Sequence, residues 1–327
     1  MRLFLLLCLL LAGLLAADLM RLWQAPLSAR DSQLIQVERG LSYGQLVEGW
    51  AGQGWLHRPR DLYWLKLFGR LDARATSLKA GEYELRPGMT PLALLQNIHE
   101  GDVYLHRWTL VEGWTYAQLR RQLAGVEALN HQTTGMSSAE LMSALGRPGL
   151  QPEGRFLPET YRFLRGSSDI ELLRRAADAM DQALQTAWQE RSEGLPLTSP
   201  EEGLVLASII EKETAQPAER TRIAGVFIRR LQRGMRLQTD PTVIYGLGEA
   251  FDGNLRRRDL RADTPYNTYT RAGLPPTPIA MPGRASLEAA FNPAPGDALY
   301  FVSRGDGSHV FSASLEAHER AVDRYQR

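Results

Sequence analysis

Ser199-Pro200-Glu201-Glu202-Gly203-Leu204-Val205-Leu206-Ala207-Ser208-Ile209-Ile210-Glu211-Lys212-Glu213-Thr214 is the stretch on which the fold turns. Ser199 as N-cap, Pro200 at the first helical position and Glu202 three residues on form a capping box, which predicts a helix start here. From Gly203 to Ile210 the helix is apolar almost all round, so it is buried, with other elements wrapped around it. A carboxyl group where such a helix ends is partly desolvated; its acid form is favoured and its pKa moves toward the range of a general acid. At spacings of three, four and seven, Glu211 shares a face with Ser208, Ala207 and Leu204. Glu213 points roughly 200° away at about 100° per residue, so the two carboxylates do not face one site. Glu211 is therefore the candidate acid. The competing reading makes 211–213 the solvated last turn of a core helix.

Downstream, residues 222–233 form an amphipathic helix (Ile223, Val226, Phe227, Leu231) ended by Gly234. Asp240-Pro241 reads as an N-cap with proline at the first helical position, which leaves Gln238 and Thr239 better placed for ligand contact. Residues 264–279 make a stiff loop rich in Tyr, Asn, Thr and Pro. Its composition suits a carbohydrate groove, where tyrosine faces stack on sugar rings, and equally a rigid connector. The C-terminus reads as a Ser286-capped helix to Phe291, strand 299–303, a Gly305-Asp306-Gly307 turn, strand 309–312 and a final helix from Ser314.

Upstream, Leu172, Leu173, Ala176, Ala177, Met180, Ala183, Leu184 and Ala187 mark the core stripe of a long helix. Residues 153–163 alternate aromatic and polar side chains, as in a groove-lining strand or a connector. A pattern G-x-[ST]-x-x-x-L recurs at Gly40/Ser42/Leu46, Gly88/Thr90/Leu94 and Gly113/Thr115/Leu119, with Val37, Leu85 and Leu110 three residues before each glycine. This predicts a strand, a glycine turn, a Ser/Thr N-cap and a helix whose first inward residue is the leucine. The first two copies resemble the LysM type of glycan-binding module. At the N-terminus, Leu3 to Ala17 gives roughly 15 uninterrupted apolar residues, against about 20 for a full span. Bulky Leu15 disfavours signal cleavage after Ala17, so an uncleaved anchor is preferred, extended to Leu22 or Trp23 with Arg21 and Trp23 at the interface.

The 327 residues are 44% hydrophobic and 23% charged, enough for a substantial core. Lys and Arg number 38 against 37 Asp and Glu, a net charge of +1 that argues against nucleic acid as a partner. The single cysteine, Cys8, lies in the apolar N-terminal run, and the six histidines have no metal-ligand spacing. No metal and no cofactor are expected.

Taken together, residues 207–214, 237–246, 265–269 and 273–279, Asn292-Pro293, Tyr300-Phe301-Val302 and residues 307–312 resemble the endolytic murein transglycosylase family, the YceG-like proteins, over nearly the whole chain. The resemblance implies an α+β protein with a transmembrane anchor at 1–23, a LysM-like strand-turn-helix subdomain at 31–125 and a mixed α/β catalytic domain at 126–327. It implies an inner-membrane enzyme, N-terminus cytoplasmic and catalytic domain periplasmic, that cuts nascent peptidoglycan glycan strands, with penicillin-binding synthases nearby. It further implies that Glu211 is the acid/base. Such an enzyme needs only one carboxyl group: it protonates the oxygen leaving N-acetylmuramic acid and then helps the muramic 6-hydroxyl attack its own anomeric carbon, leaving a 1,6-anhydro end. Gln238, Thr239, Asp240, Tyr245, Tyr266, Asn267 and Tyr269 are expected to hold the strand, and Glu159 or Glu213 to tune the site. Glu159, Arg229 and Thr277 depart from the family's usual Asp, Asn and Gly. A muramidase using Asp240 as second carboxylate and a non-catalytic glycan-binding scaffold are the alternatives.

Overall fold

Each of the three glycine turns feeds a helix, as the repeated pattern requires. The structure is a computed structural model and describes residues 1–326. Its first elements are α1 (Arg2–Gln24), β1 (Gln33–Val37), α2 (Tyr43–Gly52), α3 (Pro59–Phe68), β2 (Gly81–Leu85) and α4 (Pro91–Glu100). Gly40 and Gly88 take φ of 84° and 85°, a left-handed turn where a Cβ is disfavoured. Ser42 and Thr90 then accept from the backbone N–H groups of Gln45 and Ala93 as N-caps. Strands β1 and β2 pair antiparallel, with Ile35 opposite Tyr83. Val37, Leu46, Val47, Trp50, Leu65, Tyr83, Leu85, Leu94 and Ile98 close one core under them. Packing divides the chain into a first unit, Met1–His106 with Arg162–Gly166, and a second unit that takes Arg107–Tyr161 and the chain from Ser167.

Helix α1 is the one described helix long and apolar enough to cross a membrane, and Leu3 to Leu15 lie exposed along it. Its last turns differ from the expectation of a span reaching Trp23. Leu22 is buried in the first unit's core, with Leu19 and Trp23 packed against it. Trp23 meets the Phe68 ring at 4.3 Å, Arg21 binds the buried Asp61 at 3.0 Å, and Asp18 takes Arg58 at 2.6 Å and the Trp64 indole N–H at 3.0 Å. Side chains read as interfacial anchors are instead held by protein.

The chain continues with β3 (His106–Thr109), α5 (Tyr116–Ala124), α6 (Ser138–Ala144), β4 (Thr160–Phe163), α7 (Asp169–Gln189), α8 (Pro200–Glu213), α9 (Arg220–Gln232), α10 (Asp240–Leu247), α11 (Arg257–Arg261), α12 (Arg284–Phe291), β5 (Tyr300–Ser303), β6 (His309–Ser312) and α13 (Leu315–Tyr325), with the division between units falling inside β3 and β4. The third glycine turn, with Gly113 at φ 75° and Thr115 capping α5, belongs to the second unit and not with the first two copies. Among the described residues, sheet content is three two-stranded pairs, β1 with β2, β3 with β4 and β5 with β6. A mixed α/β architecture results.

Residues 203–210 of α8 are all buried, surrounded by side chains of α7, α9 and α12. Gly203 is where α8 and α12 touch: a Cβ there would lie 1.9 Å from the Phe291 ring. Ser199 caps Glu202 N–H as expected, but the Glu202 carboxylate reaches past Ser199 to the Thr198 N–H at 2.6 Å. Two starts shift relative to the sequence reading. Helix α10 is capped at Thr239 and begins at Asp240, and α12 begins after Gly283, two residues ahead of Ser286.

Candidate active site

Where α8 leaves the core, its two carboxylates part company. Glu211 turns toward the start of α12: its Oε2 accepts the Gly283 N–H at 2.9 Å, and its side chain is only 6% exposed. Arg220 Nη2 stands 3.9 Å from both Glu211 and Glu112. Burial, with the Glu211 charge beside it, pushes the Glu112 carboxyl up, while Arg220 opposes the shift. Gly283 is the close-approach point of this cluster, since a Cβ there would lie 1.8 Å from Glu112 Oε1. Glu211 thus satisfies an N–H at a helix start that has no partner within the helix.

Glu213, two residues on, faces a cavity of about 500 Å³ whose other walls include Arg230, residues 237–240, Tyr269, β5 and His309. Burial pushes its carboxyl up to about 7; the Asp240 charge adds to the rise, while a hydrogen bond from the Thr239 hydroxyl and the charges of His309 and Arg230 oppose it. Asp240 is exposed and accepts the Tyr269 phenol at 2.6 Å. Burial and the same carboxylate push the Tyr269 phenol up as well. Gln238 stands at φ 51°, the one described non-glycine residue with positive φ, and donates its N–H to Thr268. Buried Arg230 spends its guanidinium on the Leu299 and Leu237 carbonyls at 2.6 and 2.9 Å, and lies 5.1 Å over the Tyr300 ring.

Of the residues singled out in the sequence, Glu213, Gln238, Thr239, Asp240 and Tyr269 therefore share one cavity. The others do not line it. Glu159 is exposed and pairs with Arg284 at 3.0 Å. Asn267 is fully buried: its amide donates to the Asp259, Leu260 and Ala262 carbonyls and accepts the Tyr269 N–H, so it shapes the loop from inside. Tyr245 and Tyr266 meet edge to face at 4.9 Å, and the Tyr245 hydroxyl donates to Glu153 at 3.0 Å. Sequence reasoning did not select Glu153, whose carboxyl burial pushes up to about 7 against hydrogen bonds from Tyr116 N–H and Tyr245. Nor did it select Arg230 or His309. Their signal was weak, because each lies beside the cavity only through contacts distant in sequence. Two departures from the family pattern have visible jobs: Arg229 holds the Ala298 carbonyl at 2.7 Å, and Thr277 bonds the Tyr266 hydroxyl at 2.8 Å.

A buried carboxyl on the wall of a cavity with hydrogen-bonding and aromatic side chains marks this cleft as the candidate binding site. The YceG-like family matches residues 35–324, and the chain belongs to that family. It is 32% identical to an endolytic murein transglycosylase of Bacillus subtilis over 77% of this chain and 74% of the relative. It is 29% identical to an endolytic murein transglycosylase of Streptococcus pneumoniae over 76% of this chain, spanning half of that longer protein. A crystal structure of a yceG-like protein from Listeria monocytogenes superimposes with a TM-score of 0.56 at 28% identity, covering 90% of this chain and all of that one.

Proposed function

We propose that this protein is an endolytic murein transglycosylase, a lyase of peptidoglycan, with Glu213 as its proton donor. The observation that carries the residue choice is the carboxyl pushed up to about 7 on the wall of the 500 Å³ cavity. A general acid must keep its proton near working pH and must see the substrate, and Glu213 meets both conditions. Glu211, the residue the helix pitch and the family resemblance favour, is engaged with the Gly283 N–H and has the supporting role of fixing α12 beside α8. In this reading Glu213 protonates the oxygen leaving N-acetylmuramic acid. Tyr269, Gln238 and Asp240 hold the sugars, and the muramic 6-hydroxyl closes on its own anomeric carbon to give a 1,6-anhydro end. Helix α1 would anchor the chain in the inner membrane with its N-terminus cytoplasmic, and the first unit would act as a LysM-like glycan contact.

The test is digestion of purified murein by the full-length protein in detergent, read by mass spectrometry. Anhydro ends, lighter by one water than reducing ends, are expected, and Glu213→Gln should abolish their release. One observation favours a second reading, a hydrolase: Asp240 shares the cavity with Glu213, as a second carboxylate would in a glycosidase. Reducing-end products that disappear in Asp240→Asn would establish it instead.

A further inference from the structure

The cavity beside Glu213 holds a second built proton-transfer pair that nothing above uses. Glu219, at the end of the short turn Pro217–Glu219, is buried, and it clasps His309 twice. Its Oε1 accepts the His309 backbone N–H at 2.9 Å and its Oε2 meets the ring Nδ1 at 2.7 Å. Anchoring the start of β6 needs only the backbone bond. The second oxygen fixes the ring itself. A carboxylate accepts, so Nδ1 donates to it, and Nε2, which no described hydrogen bond uses, is the nitrogen that carries the lone pair when the ring is neutral. Phe301 stands edge-on to the imidazole at 5.4 Å and 87°, which restricts its rotation. The ring lines the same cavity as Glu213. A carboxylate-oriented imidazole, in its neutral form, is the arrangement that lets histidine take a proton from a hydroxyl.

We propose that His309, oriented by Glu219, is the base that removes the proton from the attacking 6-hydroxyl, so that acid and base are separate residues in one cavity. This rests on the transglycosylase reading and completes it. The bond from the muramic anomeric carbon to the leaving oxygen breaks, its electron pair stays on that oxygen, and the oxygen takes the Glu213 proton. The 6-oxygen bonds to the anomeric carbon and gives its proton to His309 Nε2. Glu213 ends as carboxylate and His309 as imidazolium, and transfer of that proton back to Glu213 restores both without water or any co-reactant. Titratable groups lining the same cavity are Glu213 of α8, Arg230 of α9, Asp240 of α10 and His318 of α13, with Glu219 bonded to the ring Nδ1 and Arg222 over the Phe311 ring. Glu219 is a positioning residue acting through the ring.

The experiment follows release of anhydro ends by the full-length protein with His309→Gly, His309→Gln and Glu213→Gln, with and without added imidazole. His309→Gly should lose about 100-fold in turnover, the scale of a general base, and imidazole should restore at least about tenfold of it by filling the vacated space. Imidazole should leave Glu213→Gln inactive. Activity of His309→Gly near wild type, or a slow but normally melting variant that imidazole does not rescue, overturns the proposal. If His309→Gly does not fold, His309→Gln decides: native melting with a comparable unrescued loss supports a base, and near-normal turnover overturns it. Full activity in Glu213→Gln, or products heavier by one water from the wild type, would instead overturn the underlying transglycosylase reading.

Discussion

Glu211 and Glu213 are two residues apart on one helix, yet their surroundings give them opposite chemistry. Glu211 meets the Gly283 N–H at the start of a helix and stands near an arginine, and its oxygens are taken up by protein. Glu213 is desolvated, has the Asp240 charge nearby and opens on a cavity, so it holds its proton to about 7. About 200° of helical rotation separates a carboxylate engaged by the protein from one that opens on a cavity. The lesson is that burial alone does not make a catalytic acid; burial on a wall that substrate can reach does.

The largest effect that can break this comparison is Glu213→Gln, expected to lower turnover about 1,000-fold with native melting, while Glu211→Gln stays within about tenfold. Equal losses in the two variants, measured on purified glycan strands, would erase the distinction. Next, Gly283→Ala puts a methyl group against the far end of the half-exposed Glu112 side chain, which can swing aside, and should cost about 1 kcal/mol in chemical denaturation. A loss above about 3 kcal/mol would mean that Glu112 is held in place. Glu153 is the control, since its carboxyl is also pushed up to about 7 but it does not line the cavity. A folded-state pKa above the ordinary 4.5 means that the folded protein binds the proton more tightly than the unfolded chain. Stability is therefore intact below about pH 4.5 and falls as pH rises toward 7. Glu153→Gln should thus raise the melting temperature at pH 8 and not at pH 4, by an amount equivalent to about 1–2 kcal/mol. The smallest effect is Thr239→Val. Loss of its hydrogen bond to ionised Glu213 should move the alkaline limb of the pH–rate profile, which falls through about 7 in the wild type, upward by about half a unit.

Local signals in the sequence were strong enough to locate most elements. Ser42, Thr90, Thr115, Ser199 and Ser314 all cap the helices they precede, because an N-cap is decided within three residues. The apolar run 203–210 marked the buried helix for the same reason. The choice between the two glutamates was beyond that reach. Helical pitch separates their faces, but which face meets a cavity depends on β5, β6 and residues 237–240, which arrive from later in the chain. Asn267 misled by composition: an amide in a Tyr-rich loop looks like a sugar ligand, and only the three carbonyls around it reveal an internal brace. Likewise, Glu219 and His309 lie far apart in sequence, so no spacing pattern joins them.

The clamp at the end of α1 carries its own consequence for a membrane. With Asp18, Arg21, Leu22 and Trp23 committed to the first unit, the segment from Leu3 to Ala17 supplies about 22 Å of helix, against a hydrocarbon thickness of about 30 Å. As a membrane anchor, a segment this short would stand in hydrophobic mismatch. If α1 serves as an anchor, either the bilayer would thin around it or the folded first unit would be drawn toward the lipid headgroups.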